Sequence, residues 1–244
     1  MQEGYLKWYS PNLSAEFEML TFGHGGYPLL LFPTSNGRYY ENKDFKLIES
    51  VQQFVDEGKV KIYCPDSVDA RSWYNKDIHP ADRMRNHMWY EKMLLEEILP
   101  ITRKDTGIAR VIVAGCSFGG YHAANFAFRH PHLVSHLLSM SGAFDIRGQM
   151  DGFYNDDVYY NNPIDFMPAA QNPELWQLKI VLGTADRDIC RRDNENLSLI
   201  LTQKGINHWL DIRSDADHDW IVWRTMFPDY LGQINSPTTI TVKN

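Results

Sequence analysis

Three cysteines in 244 residues are too few and too scattered to staple a fold. Cys64, Cys116 and Cys190 are odd in number and lack metal-ligand spacing, so neither a disulfide framework nor a structural zinc site is expected. Reduced thiols in a cytoplasmic protein are the simplest expectation. Lys and Arg form no block or stripe, and the net charge is -7. Such a chain repels phosphate backbones and anionic lipid, so neither nucleic acid nor a membrane is expected as partner. No apolar run approaches the roughly 20 residues of a membrane-spanning helix. The N-terminus lacks the basic-then-apolar pattern of a secretion signal. Internal repeats, low-complexity tracts and Pro/Gly-rich linkers are missing too. Residues 1–244 are therefore expected to form a single domain, with residues 235–244 ("NSPTTITVKN") as a loose tail.

What is present is ordinary for a globular core: 43% hydrophobic, 23% charged and 13% aromatic residues. "YLKWYS" and "AEFEMLTFG" alternate as antiparallel edge strands do. "PLLLFPT" and "VKIYCPD" are short apolar runs closed by Pro or Asp, as strands buried on both faces require. An amphipathic helix is predicted over about 83–99 and ended by Pro100. Next come the strand "RVIVAG", a helix over 118–129 and the strand "LVSHLLSMSG". Residues 143–177, aromatic and broken by prolines, read as a lid-like insertion. The strand "LKIVLGT", a helix over about 193–204, the strand "HWLDIRS" and a helix over about 220–233 complete the chain. The pattern predicts a mostly parallel α/β sheet flanked by helices, with antiparallel N-terminal edge strands. Ligands of such sheets bind at the carboxyl ends of the strands.

Three marks fall at those ends. Gly115-Cys116-Ser117-Phe118-Gly119 joins a strand to a helix, and its glycines keep side chains out of a sharp corner that exposes the Ser117 hydroxyl. Serine is a poor nucleophile without a base. Of nine histidines, His218 follows the last long strand, where a loop can carry imidazole over Ser117. His122 lies on the elbow helix, too close in sequence to serve. "GTADRD" ends the preceding strand with Asp186 and Asp188. Asp186 stands at the first point where the chain can turn over the sheet, so it is assigned as the acid that orients His218; Asp188 is the alternative acid, in a supporting role. The order Ser, Asp, His is that of the α/β-hydrolase fold. The amides of Phe118 and Ser35 are the expected oxyanion donors, since Pro33 has no N–H and Thr34 lies nearer the strand.

With "FPTSNGR", "SWYN", "AGCSFGGYHAANFAFRHPHLVSHLLSMSG", "GTADRD" and "DHDWIVW", the chain from about Tyr5 to Leu231 resembles the putative-esterase family of α/β hydrolases. That family includes esterase D-type S-formylglutathione hydrolases, enterochelin esterases, feruloyl esterases and antigen 85 mycolyltransferases. The resemblance implies an α/β-hydrolase fold with Ser117 as nucleophile, His218 as base, an acid from "GTADRD", and the Ser35 and Phe118 amides as the oxyanion hole. The expected activity is serine carboxylic-ester hydrolysis through an acyl-enzyme, with a small-molecule ester as substrate and no metal or cofactor. An acyltransferase on the same scaffold and a non-catalytic binding protein are the competing readings. Trp73, Tyr74, Tyr154 and Trp220 are expected to line the substrate pocket.

Overall fold

Alternate residues of the central strands face two separate cores. Leu30 and Phe32 of β3 (Tyr27–Phe32) and Val111 and Val113 of β5 (Val111–Cys116) enter one core. Leu29, Leu31, Ile112, Ala114 and Cys116 enter the other. Burial on both faces explains why these strands read as unbroken apolar runs. The computed structural model describes residues 1–234. Its remaining strands are β1 (Glu3–Ser10), β2 (Ala15–Phe22), β4 (Val60–Pro65), β6 (Val134–Met140), β7 (Lys179–Ala185) and β8 (Trp209–Arg213). All eight form one sheet in the order β1-β2-β4-β3-β5-β6-β7-β8. β1 and β2 run antiparallel at one edge, and the strands from β4 to β8 pair in parallel, as the alternation predicted. The tail expected over 235–244 lies outside the described residues.

Helices cover both faces. The helix Phe118–Arg129 and the helix Arg191–Gln203 contribute to the first core, and the closing helix Trp220–Gly232 to the second. One boundary differs from expectation. The helix beginning at Pro80 does not stop at Pro100: it passes through a π-helical turn, Leu94–Ile98, and continues as Leu99–Thr106. Proline cannot donate the bond an α-helix needs and its ring crowds the preceding turn; the wider π turn lets the helix run on through that defect. Gly107, with φ 73°, ends it. Residues 143–177 fold as short turns and helices, of which Ile146, Met150 and Val158 form a third buried cluster with Trp73, Phe118 and Tyr121. Among the described residues, no helix is long and apolar enough to cross a membrane.

Behind the helix Phe118–Arg129, His87 is buried beside Asn125, and among the described residues its Nδ1 has no hydrogen-bond partner. Burial, together with the neighbouring His122 and Arg129 and against the pull of Glu91, lowers its pKa from 6.5 to about 3. The unfolded chain therefore takes up a proton as pH falls through about 6.5, while the folded chain resists until about 3. Stability is lost across that window, at up to about 1.4 kcal/mol per pH unit. His87→Gln is expected to lose about 2 kcal/mol less than the parent between pH 7 and 5. Urea unfolding at both pH values checks this; equal losses in the two proteins would refute it.

Candidate active site

Ser117 occupies the corner between β5 and the helix Phe118–Arg129, with φ 55° and ψ -122°. A serine tolerates that conformation only because its surroundings leave no alternative. Its amide donates to the Met140 carbonyl at 2.8 Å, and its own carbonyl accepts from Gly120 and Ala143. The flanking glycines are obligatory for space. A Cβ on Gly115 would lie 2.3 Å from the Gly119 carbonyl carbon, and one on Gly119 would lie 2.5 Å from the Pro33 oxygen and 2.7 Å from that of Phe32. The start of the helix thus rests directly on the end of β3.

Backbone carbonyls cannot move aside as a side chain would. Gly119→Ala is therefore expected to push the helix off β3 at a cost of about 2 kcal/mol, several degrees of Tm in a chain of this size. Turnover is expected to fall at least about tenfold, because the amides of Phe118 and Ser35 would separate. Thermal melts and kcat are the measurements; a variant unchanged in both would show that the contact is loose.

His218 arrives on the loop between β8 and the closing helix. Its Nε2 lies 2.9 Å from Ser117 Oγ and its Nδ1 lies 2.7 Å from Asp188 Oδ1. The edge of the imidazole meets Trp223, 5.0 Å between ring centres at 89°. The indole N–H of Trp223 in turn donates to Ser141 Oγ at 2.8 Å. The Asp188 side chain has no solvent exposure. Burial raises its pKa, but hydrogen bonds from His218 and from the Cys190 amide outweigh burial and hold the carboxyl below its ordinary value. It is thus an anion poised to stabilise a positive imidazole.

The assignment of Asp186 is corrected by this geometry. Its carboxylate accepts from the amides of Asp215 and Ala216 at 2.7 and 3.0 Å, bracing the loop that carries His218 without reaching the ring. These two amides, with Arg187 nearby, lower its pKa. The reason lies in the turn after β7. The Asp186 amide still bonds to the Arg213 carbonyl of β8, so this residue belongs to the sheet edge. The Asp188 amide bonds to the Ala185 carbonyl, closing a turn that swings its side chain back inward. Nor does Arg187 hold Asp188: it pairs with Asp217 and Asp215.

The loop after β3 supplies the second candidate oxyanion donor. The Thr34 amide donates to Glu41, that of Asn36 to Asp69 and that of Gly37 to the Thr34 carbonyl. Among the described residues, no protein group accepts from the amides of Ser35 and Phe118. Both remain available to a developing negative charge.

The four aromatic residues expected around substrate divide. Tyr74 packs edge-on against Phe118 and donates to Ser35 Oγ at 2.7 Å. Trp220 stacks on Phe45, and Tyr154 is half exposed with its hydroxyl on Asp165. Trp73 is a correction: at 0% exposure it backs Phe118 and Tyr121 and cannot touch a substrate. Its neighbour Tyr74, in the same turn after Asp69–Arg71, is only partly buried.

Asp188, Cys190 and His218 offer possible metal-ligating atoms within 4.8 Å of one another. Their chemistry fits hydrogen bonding better. Burial pushes the Cys190 thiol up to about 12, far from the thiolate a metal requires, and His218 and Asp188 are already bonded to each other. Sequence reasoning missed Asp69, Ser141 and Trp223. A positive φ of 57° at Ser141, directly after β6, is the kind of feature no local pattern announces.

A family model described as putative esterase matches residues 36–234. No curated protein matches the sequence. Solved structures similar to this chain include a ferulic acid esterase, 17% identical with a TM-score of 0.77, the match covering 94% of this chain and 96% of that one. An S-formylglutathione hydrolase from Agrobacterium tumefaciens is 12% identical with a TM-score of 0.74, covering 94% and 93%. MPT51 (FbpC1) of Mycobacterium tuberculosis is 16% identical with a TM-score of 0.69, covering 95% and 97%. The fold they share with this chain is that of the α/β hydrolases.

Proposed function

This chain belongs to the putative esterase family, and we propose that it hydrolyses carboxylic esters through Ser117, His218 and Asp188. One observation carries the reading. Three side chains from separate loops, 101 and 30 residues apart in sequence, meet in a single hydrogen-bonded line. Such a line of nucleophile, base and buried acid has few purposes other than activating a hydroxyl.

The chemistry follows the atoms. His218 Nε2 takes the proton of Ser117 Oγ as that oxygen bonds to the ester carbonyl carbon. The carbonyl oxygen becomes negative and is received by the Ser35 and Phe118 amides. Collapse of this intermediate breaks the bond to the alcohol oxygen, which leaves with the proton from His218. Water then gives a proton to His218 and attacks the acyl group on Ser117. The second collapse releases the acid and returns the proton to Ser117 Oγ. Asp188 holds the tautomer with the proton on Nδ1 and stabilises the imidazolium in both halves.

Residues 143–177 serve as the cover of the site, because Ile146, Met150 and Val158 seat this segment on Phe118 and Tyr121. Tyr74, Tyr154 and Trp220 form the rim that meets a small ester. The unpaired state of Cys64, Cys116 and Cys190 supports a reducing, cytoplasmic setting. A fluorophosphonate probe followed by peptide mapping tests the assignment: the label is expected on Ser117, with turnover of p-nitrophenyl esters graded by acyl length. Folded protein that takes up no label would defeat it.

A further inference from the structure

We propose that Asp69 and His122 act as a positioning pair that sets the spacing of the two oxyanion amides. This rests on the ester-hydrolase reading above. Asp69 opens a 3-10 turn, Asp69–Arg71, after β4 and has no solvent exposure. Its Oδ1 lies 2.9 Å from Nε2 of His122, which is also buried. Its Oδ2 accepts the Asn36 amide at 3.2 Å. One carboxylate thus ties the loop after β3 to the helix that begins with Phe118.

Both ends of the tie sit beside an oxyanion donor. Asn36 follows Ser35 directly. His122 lies one helical turn after Phe118, with its ring edge-on to the Phe118 ring at 5.2 Å and also packed on Phe32, Tyr90 and Tyr121. Asn36 has φ 55°, a left-handed conformation that a non-glycine residue holds only against a cost. The bond to Asp69 offsets that cost and turns the Asn36 amide away from the site. With Pro33 lacking an N–H and the amides of Thr34 and Gly37 engaged elsewhere, the Ser35 amide is left facing the reaction. A buried carboxylate is expensive unless every oxygen is used, and here each has a partner. His122 lies too close in sequence to reach Ser117 as a base; its use is to hold the donor frame.

The test compares Asp69→Ala with Asp69→Asn, which retains an oxygen for the Asn36 amide. Asp69→Ala is expected to lose roughly 30-fold or more in kcat, with KM changed less than about threefold, because misplaced donors cost transition-state binding rather than ground-state binding. Affinity for an alkyl trifluoromethyl ketone, whose tetrahedral adduct places an oxyanion in the hole, is expected to fall in step with kcat/KM. Asp69→Asn is expected to restore activity to within about fivefold of the parent. Unchanged kcat in Asp69→Ala, a loss carried by KM, unaltered ketone affinity, or an Asn variant as crippled as the Ala variant would each overturn the proposal. Hydrogen exchange of the parent protein gives a reading even if Asp69→Ala does not fold. The Asn36 amide is expected to exchange at least about a hundredfold more slowly than an unstructured amide and the Ser35 amide quickly; fast exchange at Asn36 would overturn the pair. If Ser117→Ala is inactive while Asp69→Ala is normal, this inference alone fails. If Ser117→Ala is active, the hydrolase reading fails first.

Discussion

Replacing Ser117 with alanine is expected to reduce ester turnover by about a thousandfold or more while leaving the protein folded. The size of the loss follows from the geometry. Among the described residues, the only side-chain partner of Ser117 Oγ is His218 Nε2, so removing the oxygen takes away the bond-forming atom and leaves the base with nothing to activate. The Ser35 and Phe118 amides and the rim remain, so a residual rate above that in water is expected. Stability has little to lose. The positive φ at position 117 is set by the backbone bonds to Met140, Gly120 and Ala143, all independent of the hydroxyl, and alanine meets the same steric cost there as serine. Steady-state kinetics with circular dichroism and a thermal melt decide the matter. A folded variant that keeps most of its turnover would end the serine mechanism.

The second large effect separates two acids in one loop. Asp188→Asn is expected to lose about three to four orders of magnitude in turnover. An amide in place of the carboxylate cannot stabilise the imidazolium, and its NH2 can present a donor to Nδ1 and select the tautomer in which Nε2 carries the proton. The site offers no substitute, since the Asp188 side chain is fully buried and its Oδ1 serves both His218 and the Cys190 amide. Asp186→Asn is expected to lose less than about tenfold. Asparagine keeps one oxygen for the Asp215 and Ala216 amides, and the half-exposed position lets water replace the other bond. With both variants confirmed as folded, kcat/KM reads the difference directly. A reversal of the order, with Asp186→Asn crippled and Asp188→Asn active, would mean that the Asp188–His218 bond is not used in catalysis.

These two acids show where local sequence stops being informative. The buried runs of β3 to β7, the edge alternation of β1 and β2, and the small-residue corner around Ser117 were all legible, because each is a short-range consequence of side-chain size and polarity. A strand buried on both faces must be apolar throughout, and a strand that turns at once into a helix needs glycine where backbones touch. The placement of His218 after the last strand was legible for a related reason. The alternation of strands and helices brings every loop after a parallel strand to the same end of the sheet.

What the sequence by itself determined, then, was the sheet, the elbow and the set of loops that meet at its carboxyl end. Which oxygen of "GTADRD" meets His218 depended on a turn closed between Ala185 and Asp188 and on a bond from Asp186 to Arg213 of β8, a strand distant in sequence. The fate of Trp73 was equally tertiary: the segment 143–177 covers it, and no pattern within "SWYN" says which of two adjacent aromatic rings will face inward. Pro100 had the local mark of a helix end, yet a π turn carried the helix through it. The Asp69–His122 contact joins residues 53 apart and meets Asn36 from a third segment. Periodicity and propensity act over a few residues, whereas a buried carboxylate finds its partners only after the sheet has brought distant loops within 3 Å or so of one another.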